Sequence, residues 1–599
     1  MDKKNTTIGV ILLLAGIAGL FYSAKQQASR PVPPPAATAS STPASVAPAA
    51  AGTATPAQAV ADVPPPANAA FASIAKAPAA GTVTTLSNDV IAVNFTSDGG
   101  SIRDIALKHF PATLGGHTPI VLNELHADPM LGFVDLPGLD RRTPYELVSA
   151  TATEVVYRAT FNHAIEVTRR YTLTAPGDKS NDPYQIRHET TFRNLTAAPA
   201  AFPRFELSLG TAAPVDEHDL GTQLTSGHSN GEDHTFTARN KLEASGGFLG
   251  MGAHGEQSSI TAPGPIVWAS TTNRFFATIL TPDEPAAGTV TRRVKIFPDQ
   301  PDTNHNAFGL AEATQFDLKT LPAHGTAKVG LNFYAGPKEY SRLSQSDYFK
   351  ANQDKVMQFG FFKWFSQLLL VLMTWMHHLV PNWGVAIILT TLSLKIVFLP
   401  LTLKASKSMK RMAKLAPEMT ALREKFKDNP AKQQTALMEL YKAHKINPLG
   451  GCIPMLLPLP FFFGFFQMLQ GTSELRFAPF LWVHDLAATD TVTHLFGFPI
   501  NVLPILFTAV TFVQMHITPT PNMDNAQAKM MKFMPLIFLV FYYSMPAALS
   551  LYSAVNGLFT IGQQIIINRM KDDGDPIHAA PAAGPGGKPI KNVTPPKKK

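Results

Sequence analysis

The sequence predicts a polytopic α-helical membrane protein that carries one large all-β domain on one side of the bilayer. Three observations lead there. Long apolar runs crowd the chain after Gln358, at 359–380, 383–403, 450–470, 499–517 and 533–568, lengths that suit contact with a bilayer. Residues 83 to about 334 place β-branched and aromatic residues on a rough alternation between glycine, proline and Asn/Asp turns, which is the pattern of strands. Charge is also divided: residues 83–354 hold 22 basic and 30 acidic side chains, whereas the rest of the chain holds 29 and 13. The net charge of +8 therefore conceals an acidic soluble block and a basic remainder that flanks apolar runs, as in a protein with parts on two sides of a membrane.

Composition excludes several classes. A single cysteine, Cys452, rules out a disulfide scaffold and a cysteine-based zinc or iron–sulfur site. No phosphate loop, zinc-protease helix or nucleophile elbow occurs. Gly250-Met-Gly-Ala-His-Gly255 matches a dinucleotide fingerprint by spacing, but it sits in β-type sequence and opens no helix. The scattered histidines, His109, His163, His188 and His228 among them, read as strand or loop residues. No cofactor, metal or enzymatic activity is expected.

The segments follow in order. Residues 1–28 carry Lys3 and Lys4 and then an apolar run of borderline length; the poor cleavage site around Ser23-Ala24-Lys25 favours an uncleaved signal-anchor span over a cleaved signal peptide, which stays open as the alternative. Residues 29–82 are Ala, Pro, Ser and Thr with two triple prolines, a semi-extended tether. Residues 83–336 form the β domain, on the scale of a large sandwich. Residues 337–382 comprise a short helical stretch over 337–353 and then an amphipathic helix lying in the outer interface. That placement follows from charge. Only Pro381 and Asn382 separate the first two apolar runs, and if both spanned, the segment 404–445, with 11 basic and four acidic residues, would sit outside, against the positive-inside rule.

Residues 383–403 are then the second span and 404–446 a charged cytoplasmic helical hairpin turning at Asp428-Asn-Pro430. Residues 447–570 hold the third to sixth spans; the 533–568 stretch, ~54 Å as a helix against a core of ~30 Å, must reverse, and Ser544-Met-Pro546 is the place. Residues 571–599 form a basic tail ending in Lys597-Lys-Lys599. Six spans put both termini inside.

The residue that carries chemistry is Lys395. It lies 12 residues after Trp383 and 9 before Lys404, ~18 Å and ~13 Å along a helix, too deep for easy snorkelling. A lysine at mid-span costs about 2.5–3.5 kcal/mol on insertion scales, and no Asp or Glu occurs in the C-terminal spans to offset it. A wet, polar cavity is the functional reading, lined by Thr391, Ser393, Gln467, Thr508, Thr511, Gln514, Asn556 and Gln563; snorkelling to the inner headgroups is the plainer one. Methionines in the hairpin and around 523–534 suit varied apolar partners or ordinary packing.

At Asn382-Trp-Gly384, Tyr441-Lys-Ala, Asn447-Pro-Leu-Gly-Gly-Cys452, Glu474-Leu-Arg476, Ala478-Pro479, His484-Asp-Leu486 and Lys532-Phe-Met-Pro535 the chain resembles the YidC membrane-protein insertases of Gram-negative bacteria, closely over 359–570 and more loosely around Gly99-Gly100. The resemblance implies a β-supersandwich periplasmic domain and a five-helix insertase core around a hydrophilic groove. It implies insertion of membrane proteins into the inner membrane without nucleotide hydrolysis, alone or with the Sec translocon. The groove's usual arginine is Lys395 here, which keeps the charge and loses the planar fork. Thr391 matches a groove position and Tyr552 a substrate-contacting tyrosine, whose expected aromatic neighbour is Ser553. Implied partners are nascent membrane proteins, the Sec translocon, the lipid bilayer, and ribosomes or signal-recognition targeting factors at the hairpin and tail. From the residues alone, a solute or ion transporter with a sugar-binding-like periplasmic domain, and a membrane-anchored sugar enzyme, remain open.

The topology has a direct consequence. In a Cys452→Ser background, single cysteines in the 471–498 loop are expected to react with an impermeant thiol reagent from outside intact cells, and cysteines within 404–445 only after permeabilisation. Labelling of the hairpin from outside would reverse the assignment.

Overall fold

The computed structural model describes residues 81–569 except 126–127, 135, 137–138, 162, 217–218, 220, 245–253, 445–457 and 519–524. The N-terminal anchor, nearly all of the tether, most of the glycine motif at 250–255, the Asn447–Cys452 motif and the basic tail lie outside the described residues.

Four consecutive strands, β1 (Val83–Ser87), β2 (Ile91–Thr96), β3 (Ser101–Pro111) and β4 (Pro119–Leu122), pair as an antiparallel meander. Two larger sheets follow. One has five strands in the order β13 (Ser259–Ile266), β16 (Ala286–Lys295), β17 (Phe308–Phe316), β10 (Phe205–Ala212) and β5 (Phe133–Val134). The other runs β12 (His234–Ala238), β11 (Thr225–Ser229), β14 (Trp268–Thr272), β15 (Phe276–Pro282), β18 (Thr326–Pro337), β9 (Gln185–Asn194), β8 (Ile165–Leu173), β7 (Glu154–Phe161) and β6 (Glu146–Ala150). The period of two is plain in β8, where Ile165, Val167, Arg169, Tyr171 and Leu173 are buried and the residues between them are not. β17 buries all nine of its residues, as a central strand covered on both faces does.

Two polar features specify this packing. Arg169 is fully buried; it donates to the carbonyl of Gly99 at 2.7 Å and to that of Leu131, and its guanidinium lies 4.7 Å from the Phe133 ring centroid. The Tyr171 hydroxyl donates to Gly100 O at 2.7 Å. Gly100 has φ +53°, and a Cβ there would meet the Tyr145 ring at 2.8 Å, so only glycine fits beneath the tyrosine. On β17, Glu312 is 1% exposed and surrounded by the hydroxyls of Ser226, Thr289 and Thr291, the last at 2.6 Å.

A continuous apolar core passes from the sandwich through Phe349, Val356, Met357 and Phe359 into the helices. The expected helix over 337–353 is found only as the turn Tyr340–Leu343, with a second, 3₁₀ turn at Gln353–Met357. Tertiary hydrogen bonds override helix formation here: Gln185 Nε2 donates to Tyr348 O at 2.9 Å, Trp268 Nε1 donates to Ala351 O at 3.3 Å, and Asn352 takes φ +70°.

The helices are α1 (Lys363–Leu379), α2 (Trp383–Lys414), α3 (Ala416–Lys425), α4 (Pro430–Ala443), α5 (Pro458–Gly471), α6 (Val502–Ile517), α7 (Asn525–Tyr542) and α8 (Ala547–Arg569). α2 runs unbroken past residue 403 through Pro400 to Lys414, so the second apolar run and the first arm of the charged hairpin are one helix. α3 and α4 close the hairpin by packing Leu415 and Met419 on Leu437, Leu440 and Tyr441, and Asn429 caps α4 by accepting from Lys432 N at 3.0 Å. α1 buries Phe365, Leu369, Leu370, Met373 and Met376 while Trp364, Leu368, Val371, Trp375 and Leu379 stay open, so both of its faces are apolar. The 533–568 stretch breaks between Tyr542 and Ala547. Among the described residues one helical segment, Trp383–Ser406, is both long and apolar enough to cross a membrane; Val502–Ile517 and Phe533–Tyr542 are shorter apolar helices.

Burial pushes the Glu312 carboxyl up to about 8 from an ordinary 4.5. A group raised in the folded state stabilises fully below its unfolded pKa and loses that contribution as pH climbs to the folded value, because the unfolded chain has already released the proton. Stability of the β domain is therefore expected to fall by a few kcal/mol between about pH 4.5 and 8. Glu312→Gln should flatten that slope. Trp268, which is fully buried, reports the unfolding, and an unchanged slope in the variant would refute the assignment.

Candidate functional site: a buried amine on a polar helix seam

α2, α6 and α8 lie side by side and run in the same direction, as successive cross-contacts show. Lys395 Nζ donates to Thr560 Oγ1 at 3.0 Å, Gln563 Nε2 donates to Thr402 Oγ1 at 3.0 Å, and Asn568 Nδ2 donates to Ile517 O at 3.2 Å. Thr560 passes its own hydrogen to Asn556 O at 2.7 Å, so its oxygen is free to accept from the amine. The Lys395 amine also stands 5.9 Å from the Phe559 ring centroid, within reach of a cation–π attraction. Lys395 and Thr560 are the thirteenth and fourteenth residues of their helices, which places them at one depth, ~18–20 Å along each axis.

The structure distributes the sequence-derived residues unevenly. Thr391 is one turn before Lys395 on the same face of α2, 2% exposed, and bonds its own helix at Ile387 O, 2.7 Å. Asn556 and Gln563 flank Thr560 on α8. Gln514 approaches α8 at Gly557, where a Cβ would lie 3.6 Å from its Oε1 and 2.6 Å from Val510; glycine thus lets α6 and α8 come close. Thr508 and Thr511 each donate to the carbonyl four residues earlier, Pro504 and Phe507.

Three residues stand apart. Ser393 is half-buried two positions from both Thr391 and Lys395, which turns it to another side of the helix. Gln467 lies near the end of α5 that meets the β domain, where a Cβ on Gly360 would come within 3.4 Å of it. Tyr552 is buried and stacked on Phe465, centroids 4.1 Å apart, ~12 Å nearer the β domain than Thr560. Ser553 beside it shares a hydrogen bond of 2.8 Å with Tyr542. Thr560 escaped the sequence reading although Asn556, Thr560 and Gln563 follow i, i+4, i+7 spacing, a polar stripe in an apolar helix.

The end of this seam nearest the β domain is overlain by the loop after α5. Asp485 Oδ1 accepts from Phe477 N at 2.9 Å and Ala487 N at 2.8 Å, folding the loop on itself. The loop then covers three helix starts. Asn382 Nδ2 donates to Pro479 O at 3.3 Å, and Phe480 sits where a Gly384 Cβ would be, 2.1 Å away. Ala547 N and Ala548 N donate to Ala488 O at 2.7 Å and Leu486 O at 3.0 Å. Asp490 Oδ2 accepts from Leu503 N. These contacts explain why Asn382-Trp-Gly384, Ala478-Pro479 and His484-Asp-Leu486 occur together.

The same loop is bolted to the β domain. Arg476 donates to Pro111 O and, at 2.9 Å, to Ala112 O; Arg274 donates to Gln470 O at 3.0 Å and to Ala487 O. Lys338 is buried and Glu474 half-buried at this junction, and desolvation pushes the amine down to about 7 and the carboxyl up to about 7. Neighbouring Glu339 adds to the rise at Glu474.

The chain matches two family models, one described as YidC periplasmic domain over residues 83–372 and one as 60Kd inner membrane protein over residues 375–574. Relatives named membrane protein insertase YidC include that of Geobacter sp. (strain M21), 31% identical over 81% of this chain and 85% of its own. The relative from Paraburkholderia phytofirmans is 30% identical over 95% of this chain and 98% of its own. The one from Syntrophobacter fumaroxidans is 36% identical over 52% of this chain and 55% of its own. A solved structure of an active YidC insertase with its first transmembrane domain resolved covers 81% of this chain and 92% of its own at 18% identity and TM-score 0.32, a superposition on which nothing further rests.

Closure by the loop is testable at Gly384. Because a side chain there collides with Phe480, Gly384→Leu is expected to lift the loop. A Thr391→Cys reporter should then react several-fold faster with an impermeant thiol reagent from the β-domain side, in a Cys452→Ser background. Equal reactivity with Gly384 intact would show that the loop does not seal the seam.

Proposed function

The chain belongs to the YidC membrane-protein insertase family, and from that premise we propose that it inserts and helps fold integral proteins of the bacterial inner membrane. In this reading six spans place both termini and the charged hairpin in the cytoplasm and the β domain in the periplasm. The observation that carries the mechanism is the Lys395 amine, held at mid-helix by a hydroxyl and a ring with no carboxylate in the spans to neutralise it.

A client's acidic or polar tail must cross an apolar layer, and an Asp at its centre costs about 2.5–3.5 kcal/mol. A fixed cation ~6 Å away returns ~3 kcal/mol at an effective dielectric near 20, which is the size of that cost. The tail therefore enters a polar seam open towards the cytoplasm, pauses at Lys395, and passes outward as the client's apolar segment slides into lipid. Hydrophobic partitioning supplies the drive, so no nucleotide is consumed. The closed loop at the outer end keeps the seam from becoming a channel. Thr391, Thr560, Asn556, Gln563 and Gln514 keep it polar, and Tyr552, stacked on Phe465, packs α8 against α5 beyond it.

The basic hairpin and tail recruit ribosomes or targeting factors, since clustered lysines bind polyanions by counterion release. Cooperation with the Sec translocon extends the client range. A solute transporter, the other membrane reading, has no observation in its favour here.

Charge matters more than side-chain shape in this mechanism. Lys395→Arg is expected to retain insertion, whereas Lys395→Ala and Lys395→Glu should slow acidic-tailed clients about tenfold or more, given ~3 kcal/mol of attraction. Neutral-tailed clients should be affected less, and Thr560→Val mildly, by about 1 kcal/mol for one hydrogen bond. Normal insertion of acidic-tailed clients by well-expressed Lys395→Glu would exclude the electrostatic role.

A further inference from the structure

The loop between α5 and α6 ends in a β-hairpin that none of the foregoing uses: β19 (Thr491–Leu495) pairs antiparallel with β20 (Phe498–Asn501). Its turn is tight, with Phe496 at φ +53° and Gly497 at φ +83°, the left-handed pair that closes two-residue hairpins. The tip is bare and apolar. Phe496 is 94% exposed, Phe498 73%, Leu495 56% and Val492 54%, and Leu481 beside its base is 75% exposed. Two-stranded hairpins with both faces uncovered are marginal in water, so this one needs a cover.

Its base, in contrast, is rigidly built. Buried Asp490 accepts from Leu503 N, Thr491 Oγ1 donates to Asn501 Oδ1 at 2.7 Å, Asn501 Nδ2 donates to Tyr543 O at 2.7 Å, and Tyr543 donates to Pro499 O. The hairpin's aim is thus set by the ends of α6 and α7, with no linker between β20 and α6.

Length and charge identify the cover. α6 has 16 residues, ~24 Å against a hydrocarbon core of ~30 Å, and falls short of a crossing by itself. No Lys, Arg, Asp or Glu occurs from Thr491 to Met523, so one uncharged surface continues from the hairpin tip onto the open face of α6 at Ile505, Leu506, Phe512 and Val513. The exposed polar side chains of the hairpin, Thr493 and His494, lie behind the turn towards its base, at the level where lipid headgroups would meet them, and the Leu495–Phe498 tip itself holds only Leu, Phe and Gly. We propose that the β19–β20 hairpin is a membrane wedge whose Phe496–Phe498 tip enters the acyl region of the outer leaflet and supplies the hydrophobic length that α6 lacks. The inference rests on the reading that α6 spans the bilayer with the 471–498 loop outside.

The test uses the full-length chain in phosphatidylcholine/phosphatidylglycerol vesicles, Cys452→Ser, with bimane on one cysteine at a time: Phe496→Cys, Val513→Cys on α6, and Val148→Cys on the exposed edge strand β6. All three sites are exposed, so folding is undisturbed. The Phe496 probe is expected to emit to the blue of the Val148 probe, to be quenched by acyl-brominated lipid as Val513 is, and to resist aqueous iodide. Iodide quenching at Phe496 with bromolipid quenching kept at Val513 would overturn the wedge and leave the spanning helix intact. Iodide quenching at Val513 as well would remove the spanning reading itself. Shielding of Phe496 only in native membranes, with iodide quenching in pure lipid, would assign the tip to a protein partner and equally overturn the proposal.

Discussion

A primary amine in an apolar helix layer has to be solvated by something, and the arrangement of the C-terminal half follows from how that is done. Lys395 receives a hydroxyl from Thr560 and the face of Phe559, both of which leave the positive charge uncancelled. A carboxylate would have neutralised it. Thr560 can accept because its own proton is engaged by Asn556 O, and that requires α8 to be a regular helix pressed against α2. Close approach of α6 to α8 at Gly557 completes the three-helix layer that holds the geometry. The charge is therefore both the feature hardest to accommodate and the one around which neighbouring polar residues are grouped.

A polar seam through a membrane protein leaks unless one end is shut. The loop after α5 covers that end mainly through its backbone: its carbonyls take free N–H groups at the start of α8, and the Asp490 side chain takes one at the start of α6. Helix starts expose such donors in any case, so the cap satisfies the helices and covers them at once. Arg274 and Arg476 then tie this cap to the β domain through backbone carbonyls. Carbonyl partners do not titrate, whereas Lys338 and Glu474, at the same junction, are both shifted towards neutrality.

The β domain solves a different problem with similar means. Its sheets bury Arg169 and Glu312, and each is surrounded by neutral oxygen partners instead of an opposite charge. Buried polar groups of this kind fix register and sheet-to-sheet placement where apolar packing alone tolerates slippage. The core running from the sandwich into α1 and α5 is continuous, so the domain packs directly on the helices as well as following the long Ala/Pro-rich segment in sequence.

Periodicity and uncharged length sufficed to mark residues 83 to about 334 as strands and to locate the reversal near Ser544–Pro546, and a lone lysine in an apolar run drew attention to Lys395. All of these are local properties: strand alternation, uncharged length and a lone charge within it are written in neighbouring residues. Motifs such as Asn382-Trp-Gly384 and His484-Asp-Leu486 were visible as well, but not their reason, which is that Phe480 and Leu486 reach helices a hundred residues away in one direction and sixty in the other. Residues 337–353 read as helix in sequence and take an irregular path in the structure, because their hydrogen bonds go to distant strands. Gln467 lies beside Gly360, and Ser393 on another side of α2 from Lys395. Thr560 carried a weak signal and proved to hold the amine. Sequence by itself determined which segments are strands, which are apolar helices and where an unpaired charge lies; tertiary structure alone decided which polar side chains meet that charge, because contact between helices depends on rotation and depth, and neither is encoded in any one helix.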